Sequence, residues 1–223
     1  MFGVCPAGGR VMCRILYLRS GHPVVISEHL KTFAQIARNS SEYQGDGWGI
    51  AWRDGNKWRV HKNTQPIWEV DIHRFGRSQE FLAHVRSAFR DSPVIVENNM
   101  PFENGEYVYA FNGELHGVKL KLPGNTGAEK IFNLIMRMKR SDLTRSVRDA
   151  VRILKARSRY IRAANILIAG HGQAAFASFY NQDADYFTMH RSSQTDIRII
   201  CSEPYPGKAG WEPIGNDTVG EIK

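Results

Sequence analysis

Between residues 126 and 155 the apolar side chains recur at helical spacing, while on both sides they come in short runs separated by Gly, Asn, Asp or Pro. Strands, then two consecutive helices, then strands again is the order that most constrains this chain. It predicts a layered α+β protein with largely antiparallel sheets, since segregated helices and strands pack as separate layers. Before the helices, strand-like runs fall at 15–18, 47–52, 57–62, 81–87 and 107–111; after them, at 165–169, 174–180, 186–189, 197–201 and 218–222. The central helices are expected over 126–138 and 143–155. An earlier one runs from a Ser27 cap to residue 39, with Leu30, Phe33, Ala34 and Ala37 on one face. There is no internal repeat, and 223 residues suit a single domain.

A net charge of +8 suggests a nucleic-acid partner until it is located. From Arg137 to Arg162 there are ten Lys/Arg and two Asp/Glu, so that stretch holds the whole excess. Within it Leu143, Val147, Val151 and Leu154 make an apolar face, and Arg145, Arg148, Arg152, Lys155, Arg159 and Arg162 a basic one. The plain reading is a solvated outer face; the functional one is a docking surface for an acidic partner. No aromatic RNA-binding pattern or helix-turn-helix signature accompanies it, which argues against nucleic acid. No run approaches the ~20 apolar residues needed to cross a bilayer. Cys5, Cys13 and Cys201 cannot make a disulfide framework, and no CxxC or HxxxH spacing marks a metal site. The expectation is a soluble cytoplasmic protein that needs no metal or other cofactor.

Taken singly, the polar signals have ordinary explanations. Cys13 fits a buried small hydrophobe, Arg86 a structural ion-pair partner, His84 a core histidine, and Asn112-Gly113 a type I′ hairpin turn. GDGWGI (45–50) is too glycine-rich for an ordinary strand end, and no GK[ST] follows to make it a phosphate loop. In order, however, MCRILYLRS, GDGWGIAW, LAHVRSAF, NNMPF and AFNGELHG resemble the class II glutamine amidotransferases, in particular their stand-alone branch, across about residues 12–223.

That resemblance implies the four-layer αββα sandwich of the N-terminal nucleophile hydrolases, with one amidotransferase domain over 13–223. It implies that Cys13, as the first residue of the mature chain, attacks the γ-amide of glutamine or a γ-glutamyl compound. A free α-amine titrates near 7.7–8.0 and can take the thiol proton, which a peptide nitrogen cannot. Asn112 and Gly113 would form the oxyanion hole, Arg86 would hold the substrate α-carboxylate, and Gly47 and Trp48 would bring backbone close to the nucleophile. Residues 1–12 then read as a removable leader or as a chain whose translation starts at Met12.

Two positions depart from the family pattern. Gly127 stands in T-G-A-E, where the family carries an aspartate for the substrate α-amino group. Met100 stands where it carries histidine. The change at Gly127 fits a γ-glutamyl compound with a masked amine, and it equally fits a degenerate site. The alternatives to an amidotransferase-like hydrolase are a γ-glutamyl peptide hydrolase and a non-catalytic binding protein on the same scaffold. The partners implied are a small-molecule substrate and, for a donor of ammonia, an acceptor enzyme.

Overall fold

The computed structural model describes residues 12–89, 92–194 and 196–223. Strand β1 (Arg14–Val25) leads into helix α1 (Ile26–Arg38), and β2 (Trp48–Asp54), β3 (Lys57–Asn63) and β4 (Arg77–Val85) follow. A short β5 (Phe102–Glu103) and β6 (Tyr107–His116) precede helices α2 (Gly127–Arg137) and α3 (Leu143–Arg157). The chain then makes β7 (Tyr160–Gly170), β8 (Gln173–Ser178), a short helix α4 (Ala184–Phe187), β9 (His190–Gln194), β10 (Ile197–Cys201), β11 (Trp211–Pro213) and β12 (Thr218–Glu221). Two antiparallel sheets result, ordered β11-β9-β10-β1-β4-β2-β3 and β12-β8-β7-β6-β5.

The period-2 alternation of each strand assigns its two faces. On β1, Leu16 and Leu18 pack with Leu30, Phe33 and Ile36 of α1, while Ile15 and Tyr17 point into the space between the sheets. Val108 and Ala110 of β6 meet them from the other sheet, and Tyr109, one residue out of phase, stacks on Phe132 of α2 with ring centroids 5.3 Å apart. Helix α3 covers β8 and β12. The layers are therefore α1, the seven-stranded sheet, the five-stranded sheet, and α2 with α3. This is the expected αββα sandwich.

Several local expectations are corrected. Ser27 does not cap α1; the helix starts at Ile26 and Ser27 is buried in its first turn. The working caps are Thr126, whose hydroxyl accepts from the Glu129 N–H at 3.1 Å, and Asp142, which accepts from the Arg145 N–H at 3.1 Å. The run at 186–189 is not a strand: Phe187 is drawn into α4, and pairing resumes at His190. Helix α3 ends at Arg157, so Arg159 and Arg162 leave the basic face. Arg162 lies on β7 instead, in ion pairs with Glu114 at 3.0 Å and Asp183 at 2.7 Å. Arg145, Arg148 and Arg152 remain exposed on the outermost layer. No helix among the described residues is long and apolar enough to cross a membrane.

Candidate active site

A cleft of about 940 Å³ opens at the end of the sandwich where β1 starts, β4 finishes and α2 begins. Cys13, Arg86, Ser87, Gly113, Glu114 and Gly127 are among the residues that line it. Cys13 immediately precedes β1, and its thiol donates to the Ser87 carbonyl at 3.7 Å. Burial pushes the thiol up to about 11, and the Arg86 and Arg14 guanidinium groups pull it weakly back.

Arg86 follows the last residue of β4 on the inward-facing phase, two residues beyond His84. Its guanidinium donates to the Pro93 carbonyl at 3.1 Å, the Asn99 side-chain oxygen at 3.3 Å and the Ser92 hydroxyl at 2.8 Å. All three partners are neutral, so a buried cation faces the cleft with no carboxylate bonded to it among the described residues. Burial lowers its pKa, and a bound anion is the partner that the site lacks.

The glycine-rich segment acts behind Arg86 rather than in the cleft. The Arg86 N–H donates to the Gly47 carbonyl at 2.8 Å, and the Asp46 N–H donates to the Arg86 carbonyl at 3.1 Å. Gly47 has φ +107°, and a Cβ there would sit 2.3 Å from the Asn99 side chain. A Cβ on Gly49 would sit 2.4 Å from the Met100 carbonyl. Trp48 points the opposite way, into the α1 side of the sheet, against His61 and Phe75 at centroid distances of 5.5 and 5.7 Å. The structure therefore gives Gly47 a supporting position and does not bring Trp48 to the cleft.

Asn112 and Gly113 are not a hairpin turn. They lie within β6, opposite Asn165 and Ala164 of β7, just before a register shift. Asn112 is fully buried, and neither polar atom of its side chain has a hydrogen-bond partner among the described residues. Such a group is costly, which makes it a candidate for serving a bound ligand. It lies behind the cleft wall, whereas Gly113 is part of that wall. Glycine at 113 is a matter of space: a Cβ would meet the Ala163 carbonyl oxygen at 2.2 Å.

Gly127 opens α2 and borders the cleft, with no atom within 4 Å of where a Cβ would stand. Met100 also lines the cleft. Glu114 reaches it too, but its carboxylate is engaged by Arg162 at 3.0 Å and by His116 at 2.8 Å. Glu129 turns back to accept from the Asn125 N–H at 2.6 Å.

The family model for class II glutamine amidotransferases matches residues 12–211, nine-tenths of the chain and every one of these cleft residues. The chain belongs to that family. Among its relatives is the gamma-glutamyl-hercynylcysteine sulfoxide hydrolase of Mycobacterium tuberculosis, 24% identical over 199 residues, covering 86% of this chain and 82% of the relative. A protein from Silicibacter pomeroyi described as a glutamine aminotransferase class-II domain protein has the same fold, with a TM-score of 0.65 at 15% identity, over 94% of this chain and 98% of its own. So does the glutamine phosphoribosylpyrophosphate amidotransferase of B. subtilis, with a TM-score of 0.61 at 20% identity and 86% of this chain covered. The present chain spans 42% of that larger protein's length. As a class II amidotransferase it is an amidohydrolase-type enzyme, and the non-catalytic alternative is not favoured.

Sequence reasoning passed over the residues that pack around the start of the amidotransferase domain. The Met12 carbonyl accepts from the Tyr186 hydroxyl at 2.7 Å and from the Gln44 amide, and Gln44 also bonds Tyr186 at 3.1 Å. Arg14 stacks over the Tyr186 ring at 3.7 Å and pairs with Glu203. Asp46 accepts from the Ala88 N–H at 2.7 Å and lies near both Cys13 and Arg86. Gln44 sits in a connection and Tyr186 in a segment read as a strand, so no periodicity marked either one.

Proposed function

We propose that this class II amidotransferase hydrolyses the γ-amide of glutamine or a γ-glutamyl compound, with Cys13 as nucleophile once residues 1–12 are gone. The observation that carries the reading is the convergence of Cys13, the carboxylate-free Arg86 and Gly113 on one cleft. The Cys13 α-amine takes the thiol proton as sulfur attacks the γ-carbonyl carbon. The C–S bond forms and the oxygen becomes an oxyanion, met by the Gly113 N–H and the Asn112 side-chain amide. Collapse breaks the C–N bond, and the proton held by the amine goes to the departing nitrogen. Water then hydrolyses the thioester and restores the thiol. Arg86 holds the α-carboxylate throughout, fixing the reach from carboxylate to the amide carbonyl carbon.

Two observations favour a γ-glutamyl compound over free glutamine. The cleft lies at the upper end of the ~300–1,000 Å³ typical of drug-sized ligand sites. The M. tuberculosis relative is named for a γ-glutamyl substrate. Labelling tests the reading: a glutamine analogue with an electrophilic ketone in place of the γ-amide should modify Cys13 alone and leave a Cys13→Ala protein untouched. Equal labelling of both proteins would exclude Cys13 as the nucleophile.

A further inference from the structure

The charges around the cleft do not suit a free amino acid. Arg86, Glu114, His116 and Lys130 are its titratable or charged lining residues besides Cys13. Glu114 is already engaged by Arg162 and His116, at 3.0 and 2.8 Å. Arg86 hydrogen-bonds only neutral groups, with Asp46 nearby, and Lys130 is in no ion pair among the described residues. Two other acids, outside the lining, accept backbone hydrogen bonds. Glu129 holds the Asn125 N–H at 2.6 Å, and Asp46 holds the Ala88 N–H at 2.7 Å from behind the Cys13–Arg86 wall. With Arg86 taken by the α-carboxylate, a substrate ammonium would lose its water and face Lys130, with every carboxylate nearby already holding a partner of its own, a combination that disfavours binding.

A neutral nitrogen meets no such penalty. Gly127 leaves open space beside the N-terminus of α2, with nothing within 4 Å of its Cβ position. Lys130 lies one helical turn further on the same wall, a cationic donor suited to a carbonyl oxygen. Beyond these two, Phe89, Ile95, Val118 and Leu120 give the mouth an apolar lining, with Phe89 48% and Ile95 43% exposed. Apolar side chains exposed at the rim of a cleft lose water favourably when an apolar ligand group covers them.

We infer that the substrate of this enzyme is a γ-amide whose α-nitrogen is acylated, with the acyl carbonyl on Lys130 and the acyl chain over the apolar mouth. This rests on the proposal that the cleft hydrolyses γ-amides and adds the chemistry of the α-nitrogen. Gly127 and Lys130 are then specificity-determining residues.

The test uses the chain beginning at Cys13 and compares hydrolysis of N-acetylglutamine, an N-acylglutamine with a longer apolar chain, and glutamine. The acylated compounds should have kcat/KM at least about tenfold above glutamine, with the longer one ahead, as expected for discrimination set by an unmet charge. Gly127→Asp should move the ratio toward glutamine by about tenfold or more. It places an acid in the first turn of α2, where the helix dipole favours it, so the variant should fold. Lys130→Met should raise KM for the acylated compounds and lower it for glutamine, whose ammonium then meets one cation fewer. Glutamine cleaved as fast as or faster than its acyl derivatives would overturn the inference while leaving γ-amide hydrolysis intact. Cleavage of none of the three, nor of a γ-glutamyl anilide or its N-acyl derivative, would overturn both.

Discussion

Removal of residues 1–12 is predicted to transform the reactivity of Cys13. With the Met12–Cys13 peptide intact, burial holds the thiol at about 11. At pH ~7.5 that leaves roughly one molecule in 3,000 as thiolate. Freeing the α-amine places a positive charge about 4 Å from the sulfur, worth ~4 kcal/mol at an effective dielectric of ~20. That equals about three pK units, and brings the thiol to about 8. The thiolate population then rises by several hundredfold, while the lower basicity reduces its intrinsic nucleophilicity by roughly twentyfold. The net expectation is iodoacetamide alkylation faster by a few tens of fold near neutrality. The assay is a pH–rate profile of alkylation for the full and trimmed chains, resolved by peptide mass so that Cys5 is counted separately. Cys201, pushed up to about 12 by burial, serves as the internal unreactive thiol. Superimposable Cys13 profiles for the two chains would refute the electrostatic argument.

Three further outcomes follow from the same geometry. Gly113→Ala drives a Cβ to 2.2 Å from the Ala163 carbonyl, so urea unfolding should show about 1–3 kcal/mol of destabilisation and kcat should fall about a hundredfold as the backbone donor moves. Arg86→Met removes the cation expected to hold the α-carboxylate, and steady-state kinetics should show KM rising, with kcat/KM lower by roughly a hundredfold for a lost charged contact. His84 is fully buried, and burial, reinforced by Arg86 and Lys62, lowers it from 6.5 to about 3. Its native pKa lies below the unfolded one, so the unfolded chain binds the extra proton and stability is lost as pH falls from about 6.5 toward 3, at up to ~1.4 kcal/mol per unit. A His84→Leu protein should lose that part of the slope in denaturant melts across this range.

The layered α+β class was legible because helices and strands are segregated in the chain, whereas the four-layer order came with the family resemblance; the alternation on β1 and β4 places Ile15, Tyr17 and Leu82 opposite Leu16, Leu18 and Phe81. The cleft residues Cys13, Arg86 and Gly113 were legible through the wording of five short motifs, and Gly127 through its departure from the family pattern in T-G-A-E. What failed was local. Trp48 shares a motif with Gly47, but adjacent residues near a strand end face opposite ways, and the indole is needed against Phe75. Arg162 continues the basic spacing past residue 157, yet β7 takes it inward to Glu114 and Asp183. Phe187 reads as strand until its burial beside Met12 and Ala163 draws its segment into α4. Gln44 and Tyr186 act through contacts 32 and 174 residues away in sequence, which no local pattern encodes.

The central claim is that Cys13, freed at its nitrogen, carries the acyl group. The direct measurement is the intact mass of the enzyme, purified from its own host and quenched within milliseconds of mixing with a γ-amide substrate. The expected result is a chain beginning at Cys13, with a fraction heavier by the acyl part of the substrate and the adduct mapped to Cys13. A chain that turns over substrate while still retaining Met12 would contradict it, as would an adduct on any other residue.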